Sequence, residues 1–116
     1  MNLSLTHLST GQAWGVLFLA GVFETVWALG LKYTDGFSRP GVVILVLTAM
    51  GISVWLLSIS VRYLPMGTAY AVWTGIGVIG TVIGGIYLFG EPVLMARLLS
   101  IMLIIAGIVG LRIFHS

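Results

Sequence analysis

The chain has 116 residues, of which 59% are hydrophobic and only 7% charged, for a net charge of +2, and its mean hydropathy is +1.18; this composition lies far outside soluble globular usage and indicates an integral membrane protein. Five basic residues placed singly form no patch for nucleic acid, and the absence of cysteine rules out disulfides and thiolate metal sites. His7 and His115, at opposite ends, cannot make a local metal site, so no metal, no cofactor and no enzymatic chemistry are expected.

A polar, uncharged lead, MNLSLTHLSTGQ over residues 1–12, lacks the basic region of a signal peptide. An apolar run from Ala13 to Leu31 follows, and then KYTDGFSRPG. There the turn dipeptides Asp35-Gly36 and Pro40-Gly41 and three of the eight charged residues mark a membrane boundary. A second run begins at Val42 and closes near RYLPMG, where Pro65 stops one helix and permits the next. The third run covers Thr68 to Phe89 and ends at GEP; the fourth covers Leu94 to Phe114. Each has about the twenty residues that an α-helix needs to cross the hydrocarbon core. Buried backbone groups must be satisfied internally, and the runs lack the alternation of a barrel. The expected fold is an all-α membrane protein with four transmembrane helices at about 13–31, 42–63, 68–89 and 94–114, in one four-helix domain at 13–116.

Glu24 interrupts the first run in GVFETVWALGLK. A charged residue at mid-span costs about 2.5–3.5 kcal/mol on insertion scales and generally faces protein or a wet cavity. No Lys or Arg lies inside another run except near its end, so a buried ion pair is not expected, and a functional role is. At helical spacing Leu17, Gly21, Glu24, Thr25 and Ala28 share a face, with Trp27 bordering it. In the third span Tyr70, Trp73, Thr74, Gly77, Thr81 and Gly84 form one stripe; in the second, Ala49, Ser53, Leu56 and Ser60 form a small face. Tyr70 and Trp73 read either as part of an interfacial aromatic belt, as Trp14 and Trp55 do, or as the lining of a cavity that attracts a cation. Gly75, Gly77 and Gly80 fit close packing or a hinge, and Ser100, Leu103, Gly107 and Gly110 fit a helix–helix contact.

The motifs ETVWALGLKYTDGFSR, LPMGTAYAVWTGIG and IIAGIVGL, in this order, resemble the small multidrug resistance family of four-helix bacterial transporters, in particular its guanidinium-exporting branch. The resemblance runs from about residue 13 to the end. It implies a multi-pass protein of the inner membrane that assembles as an antiparallel, dual-topology homodimer and exchanges protons for a cation. Carried over by position, it implies that Glu24 is the essential carboxylate, that Trp27 borders the site, and that Ser53, Tyr70 and Trp73 line it. Gly75 and Gly77 fall where the third helix bends between access states, and Ser100, Leu103 and Gly107 fall at the dimer contact. Ser100 stands where the family often has glycine.

Two Glu24 carboxyls facing one cavity titrate as a coupled pair, and protons and a cation compete for them. Guanidinium suits such a site: it is planar, bonds a carboxylate bidentately and stacks on an indole, with Ser53 and Tyr70 available to orient the carboxylate. The expected partners are therefore guanidinium or small substituted guanidines, protons, the lipid bilayer and a second copy of the chain. The alternative within the family is export of quaternary ammonium or aromatic cations. A pore-former calls for a polar stripe along a whole helix, and an accessory subunit leaves Glu24 without a purpose.

Overall fold

Four helices account for most of residues 8–114, the part of the chain that the computed structural model describes. They are α1 (Thr10–Tyr33), α2 (Pro40–Ser60), α3 (Met66–Phe89) and α4 (Met95–Ile113). All four are long and apolar enough to cross a membrane, as the hydropathy runs require, and the chain is a multi-pass membrane protein.

The helix ends differ from those read off hydropathy, for local reasons. Thr10, Gly11 and Gln12, assigned to the polar lead, form the first turn of α1 because Ser9 and Gln12 make a reciprocal capping box. The Gln12 amide donates to Ser9 Oγ at 3.1 Å and the Ser9 amide donates to Gln12 Oε1 at 2.9 Å. The rest of the lead before Leu8 lies outside the described residues, as do His7 and His115. At the other end of the second run, α2 stops at Ser60 rather than continuing to residue 63. Arg62 and Tyr63 bond back only three residues, to the Ile59 and Ser60 carbonyls, so the chain tightens into turns ahead of Pro65.

The α1–α2 connection folds on Thr34, which is 1% exposed. Its hydroxyl donates to the Leu31 carbonyl at 2.7 Å and accepts from the Phe37 amide at 3.3 Å. Asp35, Gly36 and Phe37 all take positive φ, a conformation that only the glycine adopts without strain. Gly90 closes α3 in the left-handed conformation, and the Gly90 and Glu91 amides both return to the Gly85 carbonyl.

Close approaches fix the arrangement of the helices. Gly30 of α1 faces Val46 of α2, while Ser53 of α2 bonds the Ala20 carbonyl of α1; the two runs are therefore antiparallel. Gly21 meets Ile76, Glu24 meets Gly77, Thr25 meets Gly80 and Leu29 meets Gly84, a rising series on both helices that makes α1 and α3 parallel. Helix α1 thus packs against both α2 and α3. Ala13, Leu17, Leu64, Ala69 and Val72 form the buried core at the α1–α3 end that carries Pro65. Helix α4 leans mainly on α3, where Gly75 admits Ile104 and Ile108, and none of its residues is buried in the single chain.

Candidate functional site

Glu24 sits near the middle of α1, on the side of the helix that packs against α3. The neighbour that makes room for it is Gly77. A Cβ built on Gly77 falls 2.5 Å from the Glu24 carboxyl carbon and 2.7 and 2.9 Å from its two oxygens, so the carboxylate occupies the space a side chain would need. Oε2 of Glu24 is buried and has no hydrogen-bond partner among the described residues. A buried acceptor in this state is costly unless a proton, a cation or a further donor reaches it.

Ser53 and Trp73 are joined one layer away. Ser53 is fully buried; its hydroxyl donates to the Ala20 carbonyl at 2.6 Å and accepts from the Trp73 indole N–H at 2.9 Å. The proton of Ser53 is therefore directed to the backbone of α1, and the expected bond from Ser53 to the Glu24 carboxylate is not made in this conformation. The chain Ala20–Ser53–Trp73 instead ties α1, α2 and α3 together and holds the indole in one orientation. Trp73 in turn lies against Tyr70, with ring centroids 5.5 Å apart and a 48° tilt. Tyr70 remains 56% exposed in the single chain.

Trp27 Nε1 and Thr74 Oγ1 are likewise buried without a hydrogen-bond partner among the described residues. Together with Glu24 Oε2 they give donors and an acceptor on α1 and α3 that no described residue matches. Thr25, counted by spacing with the Glu24 face, returns its hydroxyl to its own helix at the Gly21 carbonyl, 3.2 Å away, and packs on Gly80. The stripe on α3 is accordingly divided: Trp73 bonds Ser53 and lies against Tyr70, whereas Gly77 and Gly84, and Gly80 outside the stripe, take the side chains of α1.

The remaining residues singled out by sequence are placed as follows. Gly75 is buried against Ile104 and Ile108 of α4, and Gly77 against Glu24, so the Gly75–Gly77 segment is gripped from two sides. Ser100 directs its hydroxyl to the Ala96 carbonyl at 2.8 Å. Leu103 is 75% exposed, and Gly107 has open space around it among the described residues. What sequence reasoning missed is the seat of the carboxylate on Gly77. The signal was the alignment of two helices, which the spacing within either one does not carry.

Residues 12–104 match the family model described as Small Multidrug Resistance protein. A guanidinium exporter of Yersinia pseudotuberculosis is 55% identical over 102 residues, spanning 88% of this chain and 98% of the relative. A guanidinium exporter of Salmonella typhimurium is 56% identical over 102 residues, spanning 88% of this chain and 97% of the relative, and one of Klebsiella oxytoca is 55% identical over the same length. A family match over most of the chain, on four membrane-spanning helices, means that the chain belongs to the small multidrug resistance family of membrane transport proteins.

Proposed function

We propose that this protein exports guanidinium and small substituted guanidines in exchange for protons, working as an antiparallel homodimer in which Glu24 binds proton and cation alternately. The observation that carries the reading is the buried, unpartnered Glu24 oxygen in the middle of α1, in a chain whose relatives are named guanidinium exporters. A neutral carboxyl tolerates apolar surroundings and an ionised one does not, so the ionised state calls in a cation and the protonated state releases it. Guanidinium meets the geometry with parallel N–H donors to one carboxylate and a flat face for the rings of Trp73 or Trp27. The unmatched polar atoms on α1 and α3 support a site completed by a substrate or a second chain, and the bare Ser100–Leu103–Gly107 face of α4 supports a helix–helix contact between copies.

The test is uptake into liposomes under an imposed pH gradient. Guanidinium uptake by the unmodified protein and its loss, by at least a hundredfold, in a folded Glu24→Gln dimer are expected, since the amide keeps the size but exchanges no proton. Gradient-driven uptake by Glu24→Gln would overturn the role of Glu24. Tighter competition by a bulky aromatic quaternary ammonium than by guanidinium would reassign the substrate to the multidrug alternative, because such a cation has no N–H to offer a donor-matched site.

A further inference from the structure

Helices α1, α3 and α4 line a groove of about 440 Å³. Phe18 of α1, Ile76 and Ile79 of α3, and Ile105 and Val109 of α4 form its walls, and Arg112 and Trp14 stand together at its mouth. The Arg112 guanidinium lies over the Trp14 ring, 5.2 Å from the centroid. This stacking uses the face of the guanidinium and leaves its N–H edge open to an acceptor. From Arg112 in the last turn of α4 down to Ile105 the groove descends two helical turns, about 10 Å along the helix axis. Its cation therefore sits at the membrane boundary and its apolar floor at the depth of the acyl chains.

We propose that this groove binds one anionic phospholipid, with the headgroup phosphate on Arg112 and an acyl chain laid against Ile76, Ile105 and Val109. Charge chooses this occupant. With four helices alternating in direction, Arg62 and Arg112 share one end of the bundle, while Asp35 and Glu91 lie in the loops at the other end and Glu24 lies at mid-span. The Arg112 end thus offers no carboxylate among the described residues to receive a headgroup ammonium, and a phosphate of net negative charge is the match. A second copy of the chain is disfavoured by geometry. Ile105 is two residues from Leu103, about 200° around the helix, so the groove opens on the side of α4 opposite Leu103 and Gly107. If that face carries the dimer contact, as proposed above, the groove stays open to lipid in the assembled protein. Ile76, between the two glycines of the gripped segment, forms part of the wall, so the bound chain rests against the part of α3 expected to bend.

Native mass spectrometry of the detergent-solubilised full chain tests this, with phosphatidylglycerol and phosphatidylethanolamine offered at equal concentration. The unmodified protein is expected to retain one phosphatidylglycerol per chain with at least fivefold preference. Arg112→Gln is expected to abolish that preference, and Arg62→Gln, which changes the same end outside the groove, to keep it. Val109→Trp, which fills the groove and leaves Arg112 in place, is expected to lose the bound lipid while its helical circular dichroism and its oligomeric state are unchanged. The proposal is overturned if Arg112→Gln keeps the preference, if Arg62→Gln loses it equally, or if Val109→Trp alters the oligomeric state instead of the lipid count. All of these readouts are independent of guanidinium transport, so they stand or fall separately from the proposed function.

Discussion

The carboxylate of Glu24 occupies the place of the missing side chain of Gly77, with its carboxyl carbon 2.5 Å from where a Cβ would stand. The neighbour that an added methyl would meet is the far end of a flexible side chain, which can rotate away at little cost to the fold. Gly77→Ala is therefore expected to leave helix content and stability nearly unchanged while displacing Glu24, and to lower guanidinium transport at least tenfold. Gly51→Ala, at an open position on α2, is the matched control and is expected to transport normally. Full transport by a folded Gly77→Ala protein would separate the site from this seat.

Gly21 presents the opposite case. A Cβ there meets Ile76 Cγ2 at 2.6 Å and Ile76 Cβ at 2.7 Å. A β-branched side chain fixed at χ1 cannot swing clear, so α1 and α3 must move apart. Gly21→Ala is expected to destabilise by about 1–3 kcal/mol, the usual cost of overpacking. Gly84→Ala, whose nearest neighbours are the terminal methyls and Cγ of the flexible Leu29, should cost clearly less. Unfolding by titration with a denaturing detergent, followed by circular dichroism, gives the comparison; equal losses at the two positions would contradict it.

Ser53→Ala removes both the bond to the Ala20 carbonyl and the acceptor of the Trp73 indole N–H. Hydrogen bonds between transmembrane helices contribute roughly 0.6–1.7 kcal/mol, so a loss of about 1 kcal/mol in stability is expected. A larger effect on guanidinium affinity should accompany it, because Trp73 loses the contact that orients it against Tyr70. Trp73 is read out by fluorescence in a chain whose other tryptophans are replaced by phenylalanine. An unchanged emission spectrum in Ser53→Ala would mean that Ser53 does not position the ring.

Four helices and the mid-span carboxylate were legible in the sequence because hydrocarbon imposes a length and a polarity that few residues can violate. The small face Ala49–Ser53–Leu56–Ser60 was equally legible, and all four residues are buried. What escaped was relational. Ser9 and Gln12 extend α1 into a polar segment by bonding each other, which hydropathy cannot register. Gly77 and Gly84 share the stripe of Tyr70 and Trp73, yet they receive α1, because the parallel pairing of two helices decides which part of a stripe faces a neighbour. Ser53 was placed correctly on its face, but the direction of its proton depends on a carbonyl of a helix 33 residues away in sequence.

The arrangement of charge at the two ends of the bundle yields a prediction about insertion. Lys32, Arg39 and Arg97 lie at one end and Arg62 and Arg112 at the other, a tally of three against two. Orientation follows the Lys/Arg bias near span ends, so a difference of one sets it weakly. One polypeptide is thus expected to insert in both directions, as an antiparallel homodimer from a single chain requires. In such a pair, exchange of conformations between the two protomers turns the inward-open state into the outward-open one at equal energy, so neither side of the membrane is favoured by the protein itself. The chain contains no cysteine, so single cysteines at Asn2 and Ser116 can be labelled with an impermeant reagent from each side of intact cells or inverted vesicles. Comparable labelling from both sides at each position is expected, and addition of two lysines beside Arg62 should shift it to one side. Labelling of both termini from one side alone in the unmodified chain would exclude dual insertion and require a second, oppositely oriented protein as the partner.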